Sequence, residues 1–519
     1  MRYLGVLVVF ISFGVADVDV CNASGLQLFP EIVKSGSRVY ACWIDNRDGP
    51  YEVYVQKITE DLEMEWGNGI RVSRTPHDSS DHALWNGHRL HQKVISSIKG
   101  LDEGIIVTWV NYHRLKGGKY SPGIYLIRIT SSGIFDPDWP GKGDSTLFIS
   151  SSIFPPSICS DGDGGCVVVV REKRYNAGLK KNECRIRAKK LDSKGRDFPP
   201  YGWTVDVVSW TTEVLGDPKV VKVGNKVMVC WCSVDAIYQS EGSDEYTRFY
   251  ARTISLSSGV MSNPLTIEKK HNKPDENGVV KYYWDILDFD LKARDNGTVY
   301  VGARWAYRQK RTDLTYTTKA KGLMVKLYKI SLGSNNVEKK LVSGYNINYD
   351  EEIIDNAVVM PIEQMPIRPA VLALRDEGGV IVHPEGRNSP SNNSDTTRTW
   401  GIKVVYFEEN LNLYSPYYYG WHAHLPDIIG IGNKSILVYS EHNSSDFSGD
   451  MDAKIKVLKL DEDGNDSLEW HTSSITPKSS PKIIKSDDSH CIIVWDEKNS
   501  STEWDIKAVR LNIEDLWSE

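Results

Sequence analysis

Apolar and polar positions along this chain follow one plan that returns eight times. Residues 38–45, RVYACWID, form a nearly unbroken apolar run that ends in Trp43, Asp45 and then Arg47. A turn follows, and EVYVQKI (52–58) supplies a second β-rich run. The same succession opens in EGIIVTWVNYHR (103–114), GGCVVVVREKR (164–174), NKVMVCWCSVD (225–235) and NGTVYVGARWAYR (296–308). It continues in GGVIVHPEGR (378–387), KSILVYSEHN (434–443) and SHCIIVWDEKN (489–499). Short runs of β-branched and aromatic residues bounded by Gly, Asp and Asn predict strands joined by hairpins, and helical periodicity is lacking.

Most units carry a further strand ahead of this pair, opened by a proline: FPEIVKS, FPPSICS, DPKVVKV, LPDIIGI and SPKIIKS. Proline suits the first residue of a strand, where its missing N–H costs least. After the third strand come a polar turn and a short fourth strand, as in WGNGIRVS and PPYGWTVDVVS. Four antiparallel strands per unit, repeated at a mean spacing of roughly 65 residues, predict an all-β chain folded as a single β-propeller. The count is eight four-stranded blades. Seven is the alternative, because the fifth unit aligns loosely. The eighth unit lacks a fourth strand after RLNIEDLWSE, whereas DVDVCNAS (17–24) is a spare strand at the other end. The N-terminal strand is therefore expected to close the last blade and remove two exposed edges.

The repeat decides how Trp43-x-Asp45-x-Arg47 is read. Asn111, Glu172, Ser233, Glu385, Glu441 and Glu497 stand at the Asp45 position of other units. A catalytic acid is needed once or twice in a ring, whereas a polar residue in unit after unit answers a need of every blade. That need is expected to be backbone N–H groups at the start of the following loop.

Composition narrows the class further. The 519 residues are 40% hydrophobic and 25% charged with a net charge of -7, a globular balance without the basic excess that nucleic acid requires. Met1-Arg2 and the apolar run Leu4–Val15 read as a signal peptide over residues 1–16, cleaved before Asp17. The propeller then spans 17–519, with no membrane span after cleavage, and the protein is expected to be secreted or at the cell surface. Eight cysteines, at 21, 42, 159, 166, 184, 230, 232 and 491, give neither a disulfide framework nor a metal pattern. Cys159 and Cys166 flank a tight turn and could face each other across it, while Cys42 and Cys230 read as buried thiols. No cofactor and no metal is implied.

The pattern Gly-Gly-x-x-x-x-Trp-x-Asp-x-Arg, with its following strand, resembles a repeat of secreted prokaryotic β-propeller proteins. Residues 38–58, 104–130 and 489–511 carry the resemblance best. It implies the fold; it does not imply an activity, because propellers host many functions.

Function is expected on the face that gathers the longer loops between second and third strands and between blades. Two such loops carry opposite charge, Asp235, Glu241, Asp244 and Glu245 against Arg308, Lys310, Arg311, Lys319 and Lys321. They read either as a solvated pair or as a partner-docking rim. Trp85, His88 and His91 precede the second unit, and Trp421, His422 and His424 precede the seventh. Both segments run from an outer strand to the next inner strand and so approach the central channel. Flat aromatics beside polar groups suit a sugar or a peptide, packing being the plainer role. LDEDGNDSLEW (460–470) imitates a calcium loop but occupies a third-to-fourth strand turn. Asn22, Asn296, Asn392, Asn433, Asn443, Asn465 and Asn499 are glycosylation acceptors by sequence.

The reading is a non-enzymatic binding or assembly module for protein or glycan partners. One alternative is a glycan-acting hydrolase or lyase, for which Arg304, Arg308 and Arg387 are available. Another is a self-assembling subunit of a surface layer or filament.

Overall fold

A computed structural model describes residues 17–49, 51–73, 92–114, 120–139, 146–149, 155–197, 199–234, 245–272, 282–309, 319–345, 360–361, 370–387, 399–414, 416–419, 423–442, 453–461, 466–473, 476, 478–500 and 502–517. The strands form eight antiparallel sheets, each built on four strands that run from the inside outward in chain order in blades 1 to 7. In blade 1 these are Gln27–Ser35, Arg38–Asp45, Glu52–Ile58 and Ile70–Arg71. Short extra strands, Val214–Leu215 and Met360–Pro361, join blades 4 and 5. The inner strands of blades 2 to 8 are Lys93–Lys99, Ser157–Ser160, Lys219–Val223, Tyr282–Ala293, Val371–Leu374, Ala423–Ile431 and Lys478–Lys485. Each inner strand touches those of both neighbouring blades, and blade 8 touches blade 1, so the ring closes. This is an eight-bladed β-propeller, and the loosely aligned fifth unit is a full blade.

Blade 8 takes its first three strands from Lys478–Lys485, His490–Lys498 and Trp504–Asn512. Its outer strand is Val18–Cys21, which runs antiparallel to Trp504–Asn512 with Val18 opposite Ala508. The two ends of the chain thus share one blade, as expected. A short helix, Ile513–Trp517, follows and buries Ile513 and Leu516.

The apolar core lies between blades, not within them. Tyr40, Cys42, Ile44, Val53 and Val55 of blade 1 meet Ile105, Val107, Trp109 and Ile127 of blade 2. Ala41, Trp43 and Tyr54, on the other face of blade 1, meet Ile492, Val494, Ile506 and Ala508 of blade 8. Both faces of a second strand are therefore buried, which explains why these strands read as apolar runs and not as alternations. The second-strand tryptophans all face the preceding blade: Trp43 faces blade 8, Trp109 blade 1, Trp231 blade 3, Trp305 blade 4 and Trp495 blade 7.

The cysteines need one correction. Ser160, not Cys159, stands opposite Cys166, and Cys159 stands opposite Val167. The five-residue turn 161–165 puts the two thiols one step out of register, so they face opposite sides of the sheet. All eight cysteines are free, and Cys42 and Cys230 are fully buried.

Val20 in the closing strand is 1% exposed, whereas Val18 beside it is only half-buried. Val20→Asp is expected to cost roughly 3–5 kcal/mol, as an uncompensated charge in the core does, and Val18→Asp much less. Urea unfolding measures the difference, and light scattering should show the opened edge of blade 8 promoting aggregation.

Candidate functional site

The recurrent Trp-x-acid is a piece of blade architecture. Asp45 Oδ2 accepts the Trp43 indole N–H at 2.9 Å and the Arg47 Nε–H at 2.9 Å, and Oδ1 accepts the Arg47 backbone N–H at 2.9 Å. Glu497 likewise accepts the Trp495 indole N–H at 3.0 Å. The expected capping of loop N–H groups holds at Asp45. At other copies the acid instead holds a side chain of an adjoining strand. Glu172 pairs with Arg185, Glu441 with Lys456, and Glu497 with Lys478 at 3.0 Å. Burying an acid two residues after the tryptophan supplies the indole with an acceptor and then needs its own cation.

The inner strands hold a feature that sequence reading passed over. Pairing across each first hairpin identifies one equivalent inner position per blade, opposite the residue just before the second-strand aromatic or its substitute. These positions are Glu31 (opposite Cys42), Lys93 (Thr108), Ser157 (Val169), Lys219 (Cys230), Asp288 (Arg304), Val371 (Val382), Asp427 (Val438) and Lys482 (Val494). Six of the eight are charged, and they encircle the central channel near the ends of the inner strands that receive the inter-blade connections. The level two residues deeper is Val33, Ile95, Cys159, Val221, Asp290, Ala373, Ile429 and Ile484, apolar except at Asp290.

Local backbone geometry aims several of these side chains. Phe29, Leu425 and Ser480, each directly before a proline, have φ of 57°, 59° and 50°. The hairpin register shifts at the same places, between Leu28 and Glu31, His424 and Asp427, and Ser479 and Lys482. A bulge there turns the charged residue after the proline toward the channel, at a backbone cost of about 1–3 kcal/mol per left-handed residue.

Most of the ring is tied to the next blade. Asp288 Oδ1 accepts the Ala370 N–H at 3.2 Å, and Asp427 Oδ2 accepts the Ile483 N–H at 3.0 Å. Ser157 Oγ accepts the Val220 N–H at 3.0 Å, and one level deeper Asp290 Oδ2 accepts the Leu372 N–H at 3.1 Å. Asp288 also takes Nε and Nη2 of Arg304, which is 3% exposed. Glu31 pairs with Lys93 and stands 4.0 Å from Lys482. Lys219 makes no ion pair among the described residues; its ammonium lies 5.5 Å from the centre of the Phe289 ring.

The titration of the hub follows from this arrangement. Burial lifts the Asp427 carboxyl above the ordinary range, and Lys482, the Ile483 N–H and Lys292 offset that only in part. Burial also pushes Asp290 upward, but Lys292, Lys219 and the Leu372 and Leu291 N–H groups outweigh it, and the net is downward. Burial lowers the Lys219 ammonium, against the pull of Asp290 and Asp288. A second charged knot lies between blades 4 and 5, where Glu268 takes the Tyr328 hydroxyl at 2.9 Å and Lys326 and Lys339 at 3.1 Å each. Tyr328 in turn accepts the Trp305 indole N–H at 3.0 Å, so this knot serves the blade interface.

Of the residues singled out from sequence, Trp85, His88, His91, Trp421, His422, Asp235, Glu241, Asp244, Lys310 and Arg311 lie outside the described residues. The flanking strands place residues 74–91 between the outer strand of blade 1 and the inner strand of blade 2. Residues 420–422 link blade 6 to blade 7 in the same way. His424 is the second residue of the inner strand of blade 7, opposite Ser440 and three residues ahead of Asp427. Glu245 opens the third strand of blade 4; Arg308 is the last residue but one of the second strand of blade 5, and Lys319 and Lys321 lie at the start of its third. Arg387 ends the second strand of blade 6. Asp461 precedes the third-to-fourth turn of blade 7, which is where the calcium-like stretch falls. No group of three or more His, Cys, Asp or Glu among the described residues could hold a metal ion. No helix among them is long and apolar enough to cross a membrane.

No family model and no curated protein matches the chain. Among solved structures it is similar to a protein of unknown function from Dyadobacter fermentans, with 9% identity and a TM-score of 0.38, covering 96% of this chain and 98% of that one. A Bombyx mori GH32 β-fructofuranosidase is similar at 10% identity and a TM-score of 0.32, covering 94% and 92%. The plexin A4 extracellular region follows at 11% identity and a TM-score of 0.38, covering 94% of this chain and 40% of that one. Likenesses this loose assign neither activity nor ligand.

Lys219 carries the clearest stability prediction. Its folded ammonium loses its proton more readily than the unfolded one, so between the lowered folded value and the ordinary 10.5 the unfolded chain binds more protons. The cost is present at neutral pH and disappears above that value. Lys219→Met should raise the urea midpoint at pH 7, and the gain should shrink as pH rises from the lowered folded value toward 10.5 and be absent above it. A lower midpoint at pH 7 would contradict this.

Proposed function

We propose that this propeller is a secreted or cell-surface binding module that presents its loop-bearing face to a protein or glycan partner. The observation that carries the reading is how the channel carboxylates are used. A hydrolase working in the channel would need a carboxyl pair at liberty to exchange protons with substrate. Asp288, Asp290 and Asp427 each hold a backbone N–H of the next blade, and Glu31 is shared between Lys93 and Lys482. Their work is accounted for by the ring.

A rigid ring with polar loops at one rim suits recognition, because the scaffold adds no ordering cost when a partner docks. Residues 74–91 and 420–422, which connect blade 1 to blade 2 and blade 6 to blade 7 along the chain and carry the Trp and His residues, are the proposed contact points. Leader cleavage before Asp17 would deliver the protein outside the cell, where such partners are found.

Protein starting at Asp17, incubated with cell-surface polysaccharides and glycoproteins, tests the reading when retention and product masses are followed together. Retention without new products is expected, with binding weakened about tenfold by Trp421→Ala combined with His424→Ala, the loss of one stacked ring and its polar neighbour. New product masses would overturn the proposal in favour of a glycan-acting enzyme. A mass that grows with concentration, without retention, would point to self-assembly instead.

A further inference from the structure

The central hairpin of blade 3 is longer than its sheet. Its strands, Cys166–Asn176 and Lys181–Leu191, pair without interruption to Asn176 opposite Lys181. The inner strand pairs with them only as far as Val169, opposite Ser157, and the outer strand only as far as Cys184, opposite Thr211. Residues 174–183 are therefore a two-stranded ribbon that continues past the blade on the loop-bearing face. Its base is braced. Arg174 pairs with Glu183 at 2.8 Å, and the guanidinium carbons of Arg174 and Arg185 lie 4.0 and 4.4 Å from the centre of the Trp210 ring. Its tip is closed by Asn176, whose Oδ1 accepts the Gly178 and Leu179 N–H groups at 3.0 and 3.2 Å.

This ordered tip presents two apolar side chains among cations. Tyr175 is 64% exposed and Leu179 is 55% exposed. The Tyr175 side chain has no hydrogen-bond or ring partner among the described residues, so the fold makes no use of it. Lys173, Lys180 and Lys181 flank the pair in sequence, and residues 173–182 contain no acid, in a chain whose net charge is -7. Neither Lys173 nor Lys180 makes an ion pair among the described residues. A lone exposed apolar residue needs no explanation, but two on a projecting tip ringed by cations form a contact surface.

Shape selects the kind of partner. A convex tip encloses nothing, so a rigid partner would have to supply a matching pocket, whereas a lipid interface deforms around it. A tyrosine at headgroup level, a leucine beside it and lysines reaching for phosphates make up an interfacial anchor. We propose that the blade 3 hairpin docks reversibly on an anionic lipid bilayer, with Tyr175 and Leu179 entering the interface and Lys173, Lys180 and Lys181 meeting the headgroups. The inference goes beyond the partner-binding reading and does not depend on it, because residues 74–91 and 420–422 take no part. Two apolar side chains and three cations give a weak attachment, one that adds to a partner's hold.

Co-sedimentation of protein starting at Asp17 with vesicles tests this, using phosphatidylcholine alone and phosphatidylcholine mixed with phosphatidylserine. Binding to the mixed vesicles that weakens with added salt is expected, with little binding to phosphatidylcholine alone. Tyr175→Ser combined with Leu179→Ser should weaken binding about tenfold or more. Lys173→Gln and Lys180→Gln should each weaken it about fivefold at low salt. None of these side chains is in the core, so urea midpoints should stay at the wild-type value. Leu101→Ser, at a fully exposed turn of blade 2 on the opposite face, should bind as the wild type does. No preference for the mixed vesicles, or equal binding by wild type and the Tyr175→Ser, Leu179→Ser variant, would overturn the proposal. Retention on heparin that is lost with Lys173→Gln and Lys180→Gln, without vesicle binding, would overturn it in favour of an acidic glycan.

Discussion

Burial of both faces of every blade is the constraint on which the rest of this structure depends. A four-stranded sheet that is apolar on each side cannot stand alone in water, and it cannot stop at an end without exposing a core face. The sequence meets that demand by closing on itself. Ala41 and Trp43 of blade 1 need Ile492 and Val494 of blade 8, and blade 8 is completed only by Val18–Cys21. Ring closure is thus an energetic necessity of the same pattern that makes the strands.

Closure creates the hub, and the hub brings its own problem. Inner strands converge, and each leaves one edge of backbone donors facing the channel. Side chains of one blade supply acceptors to the next: Asp288 to Ala370, Asp290 to Leu372, Asp427 to Ile483 and Ser157 to Val220. Carboxylates used in this way require cations, which accounts for Lys482, Lys292 and Arg304 nearby. The charged ring is the electrostatic counterpart of the apolar interfaces.

Much of this was legible in the amino-acid pattern, and the exceptions have reasons. The eight units, the proline-led inner strands and the closing strand all follow from local runs, because strand period and turn residues are local properties. The ring was missed although its signal was present: Glu31, Lys219, Asp427 and Lys482 each directly follow a proline. That dipeptide was read as a strand opening, and its meaning depends on eight strands converging, which no local pattern displays. Blade 5 has no such proline, so Asp288 carried no signal at all. The cysteine pair failed through turn parity, since whether Cys159 meets Cys166 hinges on a single residue of loop. The Trp-x-acid motif was correctly read as structural, but its partners are side chains on adjoining strands as often as loop N–H groups.

The central claim is that the hub carboxylates hold blades together, and amide hydrogen exchange at Ile483 tests it most directly. Its N–H donates to Asp427 Oδ2 at 3.0 Å. The account predicts slow exchange at Ile483, and selective loss of that protection in Asp427→Ala while Ile493, within the blade ladder, stays protected. Fast exchange at Ile483 in the wild type, or equal protection after Asp427→Ala, would contradict it and free Asp427 for another task.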